Sequence, residues 1–290
     1  MAYIDHHDRE DPIAIRLHNA SLSWDDGCTD TSRDMNSDIS TGSGIEKLDN
    51  PSLPNEPAPH IQSNTDQGLE VNENADTHGI ELAIVDNEHK SMTDTNTSKA
   101  LPQINYILTN ISVDIKTQSL VAVIGSVGSG KSSFLSAILG EMHKVSGIVS
   151  TYDDLEFAYC EQKPWIINDT VKNNILFGKE YDSTRFDQAI YASCMMDDVK
   201  ILAAGVDTEI GERGINLSGG QKARIALARA IYSDADIYIL DDPLSAVDAH
   251  VGQHIFSKCI KETLKNKTVI LVTHHLQILP RCDQIIVLEN

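Results

Sequence analysis

Apolar and polar residues alternate with a period of two over residues 13–24 (IAIRLHNASLSW), which predicts a half-buried strand or hairpin. The pattern then lapses. From Asp25 to about Gln103 there is no Phe, Trp or Tyr, while Ser, Thr, Asn and Asp abound. Five of the nine prolines fall here, at Pro51, Pro54, Pro57, Pro59 and Pro102. A stretch with so little to bury cannot offset its ordering entropy, so disorder is expected over 25–103. Within it the apolar run Gly79–Val85 (GIELAIV) stands apart, as a short strand or a docking element. Order resumes at Ile104. Ile107, Ile111, Val113 and Ile115 suggest a strand, and Leu120–Ile124 is a fully apolar one. Further strands are expected at Glu156–Cys160, Ile237–Leu240, Val269–Val272 and Gln284–Leu288. Helical patterns lie at about Lys131–Leu139, Ser183–Ala192, Gly219–Tyr232 and His250–Leu264. Strands alternating with helices argue for an α/β fold with a mainly parallel sheet. The sequence stops at Asn290 directly after an apolar strand and reads as a piece of a longer chain.

Composition narrows the function. The 290 residues carry a formal charge of −20, which argues against a grip on nucleic-acid phosphates. The acid is concentrated: residues 25–103 hold 16 acidic and 4 basic residues, whereas 104–290 hold 23 and 17. No apolar run approaches the ~20 residues that span a bilayer, so no direct membrane insertion by this chain is expected. The N-terminus has neither a positive region nor an apolar one that would make a secretory signal. Five scattered cysteines with no CxxC fit reduced thiols in the cytosol. The histidines show no metal-ligand spacing, so no structural metal is expected.

The chemistry begins at Gly125-Ser126-Val127-Gly128-Ser129-Gly130-Lys131-Ser132-Ser133, a GxxxxGK[ST] loop between an apolar strand and a helix. Its glycines let backbone N–H groups wrap phosphates, and the helix terminus adds partial positive charge. Lys131 would reach the β- and γ-phosphates, and the Ser132 hydroxyl would sit on Mg²⁺. Asp241, closing the apolar run Ile237–Leu240, is placed to hold the same Mg²⁺ directly or through water. Leu217-Ser218-Gly219-Gly220-Gln221 opens a second helix and a second anion-binding terminus. Two such termini in one chain make sense if the second serves a nucleotide held by a partner.

With these motifs in order, residues 13–24 and 104–290 resemble the nucleotide-binding domain of an ATP-binding cassette (ABC) transporter. The resemblance implies a P-loop NTPase of ABC-ATPase type: a mainly parallel core sheet, an antiparallel β subdomain and an α-helical subdomain at about 165–232. It divides the chain into an N-terminal β segment (1–24), the acidic insertion (25–103) and the cassette core (104–290). It also implies ATP and Mg²⁺ as cofactors. Gln162 resembles the glutamine that senses Mg²⁺ and faces the membrane domains, and Leu244–Asp248 the D-loop. His274 resembles the switch histidine at the γ-phosphate, and Trp24 the aromatic that stacks on adenine. Thr208–Gly214 is similar to the exporter segment that touches intracellular loops. Trp165 is left as either interface or core. Expected catalytic residues are thus Asp242, His274, Gln162 and Lys131; expected metal-binding residues are Ser132, Gln162 and Asp241. Residues 125–133, Trp24, Gln162, Asp241 and His274 would hold the domain's own nucleotide, and Leu217–Gln221 the partner's.

The segments Asp169–Gly178 and Asp241–Val251 look most like the first nucleotide-binding domain of the C subfamily, the multidrug-resistance-associated proteins. Asp242 stands where most ABC domains carry Glu as the base, so the resemblance implies a site that binds ATP and hydrolyses it slowly. It implies pairing with a second nucleotide-binding domain and with transmembrane domains at the cytosolic face of a membrane. The work done would be export of organic anions, conjugates or drugs. Two rivals stand beside this reading. One is a nucleotide sensor that gates a channel or partner without turnover. The other is a soluble ABC ATPase of translation or DNA repair, which Thr208–Gly214 and the lack of a basic face count against. The insertion reads as a solvated linker or as a regulatory segment, with Ser/Thr-x-x-Asp/Glu patterns at Thr31, Ser43, Ser63 and Ser91.

Overall fold

The computed structural model describes residues 4–7, 12–24 and 107–289, together with the backbone of 81–86. The expectation of disorder over 25–103 therefore lies outside the described residues, apart from that one segment. In chain order the strands are β1 (Asp5–His7), β2 (Ile13–Ser23), β3 (Glu81–Asp86), β4 (Leu108–Lys116) and β5 (Leu120–Gly125). They continue with β6 (His143–Tyr152), β7 (Phe157–Cys160), β8 (Ile237–Asp241), β9 (Thr268–Val272) and β10 (Gln284–Glu289). The α-helices are α1 (Lys131–Ile138), α2 (Val171–Leu176), α3 (Ser183–Ala192), α4 (Met196–Ile201), α5 (Gly219–Ser233) and α6 (Ala249–His254).

Among the described residues two sheets form. One is fully parallel, in the order β3-β10-β5-β9-β8-β7; the other, β1-β6-β2-β4, is antiparallel about β2. This is the α/β ABC-ATPase fold that the resemblance implied. A parallel sheet must be covered on both faces, and its strands accordingly read as near-continuous apolar runs. Successive residues serve opposite layers. Val121, Val123, Ile237, Ile239 and Ile270 join one core with α1 and the antiparallel sheet. Ala122, Tyr238, Leu240, Val269 and Leu271 join the other, with α3, α5 and the segment after α6. Phe134 of α1 is fully buried in the first layer, a contribution of about 2 kcal/mol from apolar burial.

Several elements depart from the sequence reading, and β1, α2 and α4 have no counterpart in it. The helix expected over His250–Leu264 is α-helical only to His254 and then widens into a π-helix, Ile255–Thr263. Ile255, Phe256, Cys259 and Ile260 are buried there, a face the wider turn still directs at the core. Strand β6 had no counterpart in the reading, because its exposed half (His143-Lys144 and Ser146-Gly147-Ile148) breaks the apolar alternation. Residues 79–85, left open as strand or docking element, contribute β3, which pairs in parallel with β10 from Gln284↔Glu81 to Glu289↔Asp86.

Gly147 sits where β6 and β2 pass a bulge between His18 and Ser21. Its φ is +78°, and a Cβ there would collide with the backbone of Asn19 and Ala20. Gly147→Ala is therefore expected to lower the unfolding free energy by about 2 kcal/mol or more, measured by chemical denaturation.

Candidate nucleotide site

Four segments that follow the carboxyl ends of neighbouring strands converge on one cleft of about 310 Å³. After β5 comes the glycine loop. Gly130, at φ +91°, turns the chain into α1, and its carbonyl accepts the Phe134 N–H at 2.8 Å. Lys131 folds back over the loop: its Nζ donates to the carbonyls of Gly125 (3.0 Å) and Ser126 (2.7 Å). The ammonium is thus held at the loop's mouth, within the cleft lining. Val127 at the loop's crest is 91% exposed.

After β8 comes a pair of buried carboxylates, Asp241 and Asp242. The Ser132 hydroxyl donates to Asp241 Oδ2 at 3.0 Å, joining the start of α1 to the end of β8. Burial pushes the Asp241 carboxyl above its ordinary range; the Asp242 charge adds to this, while the Ser132 bond, Lys131 and His274 oppose it. Asp242 has φ +52°, a left-handed turn that Asp tolerates better than most residues. Its N–H donates to the Val272 carbonyl at 3.1 Å, and its own carbonyl accepts from the backbone N–H (3.1 Å) and hydroxyl (2.8 Å) of Ser245. Its backbone is fixed on both sides, yet its buried Oδ1 has no hydrogen-bond partner among the described residues. An orphaned carboxylate oxygen is costly and asks for a functional explanation.

After β9, Thr273 is buried and its Oγ1 accepts the His275 N–H at 3.0 Å, which turns His274 outward into the cleft. After β7, Gln162 completes the lining. The structure thus brings together Val127, Gly128, Gly130, Lys131, Ser132, Ser133, Gln162, Asp241, Asp242 and His274, with Val272 added beneath. Val272 was missed by the sequence reading because it looks like any strand residue. Gly125, Ser126 and Ser129 belong to the loop, where the Ser129 N–H donates to the Ser126 carbonyl at 3.2 Å, but are not in that lining.

Trp24 and Leu217–Gln221 are not in that lining. Trp24, about half exposed, follows β2 in the antiparallel sheet. Ser218 caps α5 in a reciprocal box: its Oγ accepts the Gln221 N–H at 3.2 Å, and Gln221 Oε1 accepts the Ser218 N–H at 2.9 Å. The terminus is closed by this box, and Ser218 and Gly219 are exposed.

Behind Gln162 a network absent from the sequence reading ties the helical layer together. Asn174 is fully buried; its amide donates to the carbonyls of Ile167 (3.1 Å) and Thr170 (3.0 Å). Its Oδ1 accepts from the Ile167 N–H and from Arg229 Nη2, both at 3.0 Å. The Arg229 guanidinium lies 3.9 Å from the Trp165 ring, which meets Phe177 edge-on at 5.1 Å. Trp165 is 42% exposed and Phe177 54%, so neither is core. A groove of about 460 Å³ is lined by Phe177 together with Asp169 and Lys179. Thr208–Gly214 is tied to the same region: the Val171 N–H donates to the Thr208 carbonyl and the Ile210 N–H to the Asp169 carbonyl.

Residues 108–245 match the family model described as ABC transporter. ATP-binding cassette sub-family C member 2 of Rattus norvegicus is 53% identical over 189 residues, which cover 64% of this chain and 12% of the rat protein. ABC transporter C family member 12 of Dictyostelium discoideum is 51% identical over 183 residues, 63% of this chain and 14% of that protein. Multidrug resistance protein mrp-7 of Caenorhabditis elegans is 54% identical over 183 residues, 62% of this chain and 12% of that protein. The chain thus spans only a small part of the length of these relatives.

The raised Asp241 carboxyl has a measurable consequence. Its folded value lies above the unfolded one, so its stabilising share is complete below the ordinary value of 3.8 and is lost as pH rises through the folded value. Without nucleotide and Mg²⁺, Asp241→Asn is expected to melt higher than wild type at pH 7, and the gap should close as pH falls toward 4. Thermal melts of both proteins across pH check this.

Proposed function

We propose that this chain, which carries an ATP-binding domain of the ABC transporter C subfamily, holds Mg²⁺-ATP in the β5–β8–β9 cleft and hydrolyses it slowly. The observation that carries this reading is Asp242. Its carboxylate lines the cleft, buried and with one oxygen unpartnered, so the backbone strain and desolvation are tolerated for a ligand's sake. ATP-binding cassettes bind ATP with Mg²⁺, and the residues here suit that pair. The loop amides and Lys131 would cradle the phosphates, and the Ser132–Asp241 pair supplies two oxygens of the kind that hold Mg²⁺. Bound metal would neutralise the buried charge that raises the Asp241 carboxyl. Trp24 would stack on adenine.

Asp242 would act as the general base that draws the proton from the attacking water, and His274 and Gln162 would orient the γ-phosphate and that water. Asp is one methylene shorter than Glu, and its carboxylate sits about 1 Å further back, a misplacement that can cost ~10²-fold. The site is therefore better at holding nucleotide than at turning it over. This is the role of the first of two cassettes, and Ser218–Gln221 would complete the second cassette's faster site in a head-to-tail sandwich. Closure of that sandwich would be transmitted through the exposed Trp165–Phe177 surface and Thr208–Gly214 to membrane domains at the cytosolic face, to export organic anions or conjugates. Among the described residues no helix is long and apolar enough to cross a membrane, so the membrane-spanning part would come from outside them.

Asp242→Glu should raise hydrolysis at this site by about 10- to 100-fold while leaving ATP affinity unchanged. Single-turnover hydrolysis beside equilibrium nucleotide binding measures both. Rapid hydrolysis by the wild type, not increased by Glu, would refute the slow-site reading. If neither version turns over, the second cassette is added; binding without turnover even then, with Asp or Glu, would favour the nucleotide-sensor alternative.

A further inference from the structure

Helix α4 buries none of its six residues, so packing alone does not explain what holds it to the helical layer. Val199 packs partly buried against the core, and the strongest polar tie is one side chain, Asp198. Asp198 is 12% exposed and points inward, whereas its neighbour Asp197 is 94% exposed and pairs with Lys200 on the outside. The Asp198 carboxylate receives three hydrogen bonds from the first turns of α5. Gln221 Nε2 donates to Oδ1 at 3.1 Å, Arg224 Nη2 to Oδ1 at 2.9 Å, and Arg224 Nε to Oδ2 at 2.8 Å. Forked guanidinium–carboxylate pairs of this kind fix direction as well as energy.

Both donors bear on the Ser218–Gln221 terminus. Gln221 is the reciprocal member of the capping box: its Oε1 holds the Ser218 N–H while its Nε2 is held by Asp198. Arg224 lies under Gly220, where a Cβ would come within 3.2 Å of Nη1 and 3.0 Å of the Ala246 carbonyl. Asp198 therefore sets both the rotamer of the residue that shapes the cap and the floor beneath the glycine that must stay close to a ligand. Without the carboxylate, the Gln221 amide would keep only its bond from the Ser218 N–H, and Arg224 would be free to rise toward Gly220.

We propose that Asp198 is a positioning residue for this terminus, acting through Gln221 and Arg224 to hold it in the geometry that engages the second cassette's nucleotide. The proposal rests on the reading that Ser218–Gln221 serves a partner's site, and the test separates the two. In the assembled transporter, Asp198→Asn keeps the side chain's volume but removes its charge. ATP turnover at the partner's site should fall about 10-fold, with this domain's own ATP affinity unchanged. Asp198→Asn added to Gln221→Ala should cost less than the sum of the two single losses, because part of the Asp198 effect runs through Gln221. Asp197→Ala, on the same helix but facing solvent, should be silent. Full turnover by Asp198→Asn while Gln221→Ala is impaired overturns the positioning role and leaves the partner-site reading standing. So does a loss that adds in full to that of Gln221→Ala. Unaltered turnover by Gln221→Ala overturns both. Should Asp198→Asn melt lower, Arg224→Lys decides: it keeps the charge beneath Gly220 but cannot fork onto both carboxylate oxygens, so a several-fold loss supports the proposal and full turnover overturns it.

Discussion

Backbone hydrogen bonds between β5, β9, β8 and β7 align four parallel strands, and with them four carboxyl ends, along one edge of the sheet. Every cleft residue follows from that alignment. The glycine loop leaves β5, the two carboxylates leave β8, His274 leaves β9 and Gln162 leaves β7. None of these segments needs to find the others, because strand register already brings them together. Leu120 faces Val269, Ile237 faces Thr268, and Cys160 faces Leu240, so a slip of one residue would turn each apolar strand inside out and scatter the site. The sheet is buried on both faces, which makes such a slip prohibitively costly.

The rigid frame is what lets the cleft hold groups that are unfavourable by themselves. Asp241 and Asp242 are adjacent, buried acids, and the charge of one raises the carboxyl of the other. Lys131 spends its donors on two loop carbonyls rather than on either acid. In isolation such an arrangement works against folding. A divalent cation and a polyphosphate would reverse each term, supplying charge to the acids and acceptors to the lysine, so ligand binding and local stability are the same free energy seen from two sides. The cleft is thus built around the electrostatics of what fills it.

How much of this the sequence discloses follows a physical divide. Loop and strand at 120–133 were legible because a phosphate cradle demands glycine at set spacings and its strand demands an unbroken apolar run. Asp241 was legible because it ends such a run. Strand β6 was not, since half of it faces solvent and carries no period of two. The π-helical widening after His254 was not either, because it leaves the apolar spacing helical while changing the hydrogen-bond ladder. Asn174 and Asp198 were invisible for another reason: a buried polar residue has meaning only through partners, and theirs lie 55 and 26 residues away, at Arg229 and Arg224. Sequence spacing reveals residues that share one element and conceals those that tie elements together.

Those ties converge on one helix. The fifteen residues of α5 extend about 22 Å. At its amino end Gln221 and Arg224 are clamped by Asp198. At its middle Arg229 donates to the carbonyls of Asn174 and Trp165 and lies against two exposed aromatic rings. At its far end the Tyr232 carbonyl accepts from Arg185, and its hydroxyl accepts the Asp182 N–H and donates to the Glu180 carbonyl. The helix interior is close-packed, with Ile225, Leu227, Ala228 and Ile231 buried, so it moves as a unit or not at all. Arg229 thus links Trp165 and Phe177 to the same helix whose amino end is Ser218–Gln221. The segment 162–177 leads from the cleft directly to those aromatics. One helix thus carries the ties to Asp198 at its amino end, to Asn174 and the exposed Trp165–Phe177 pair along its length, and to Arg185 at its far end.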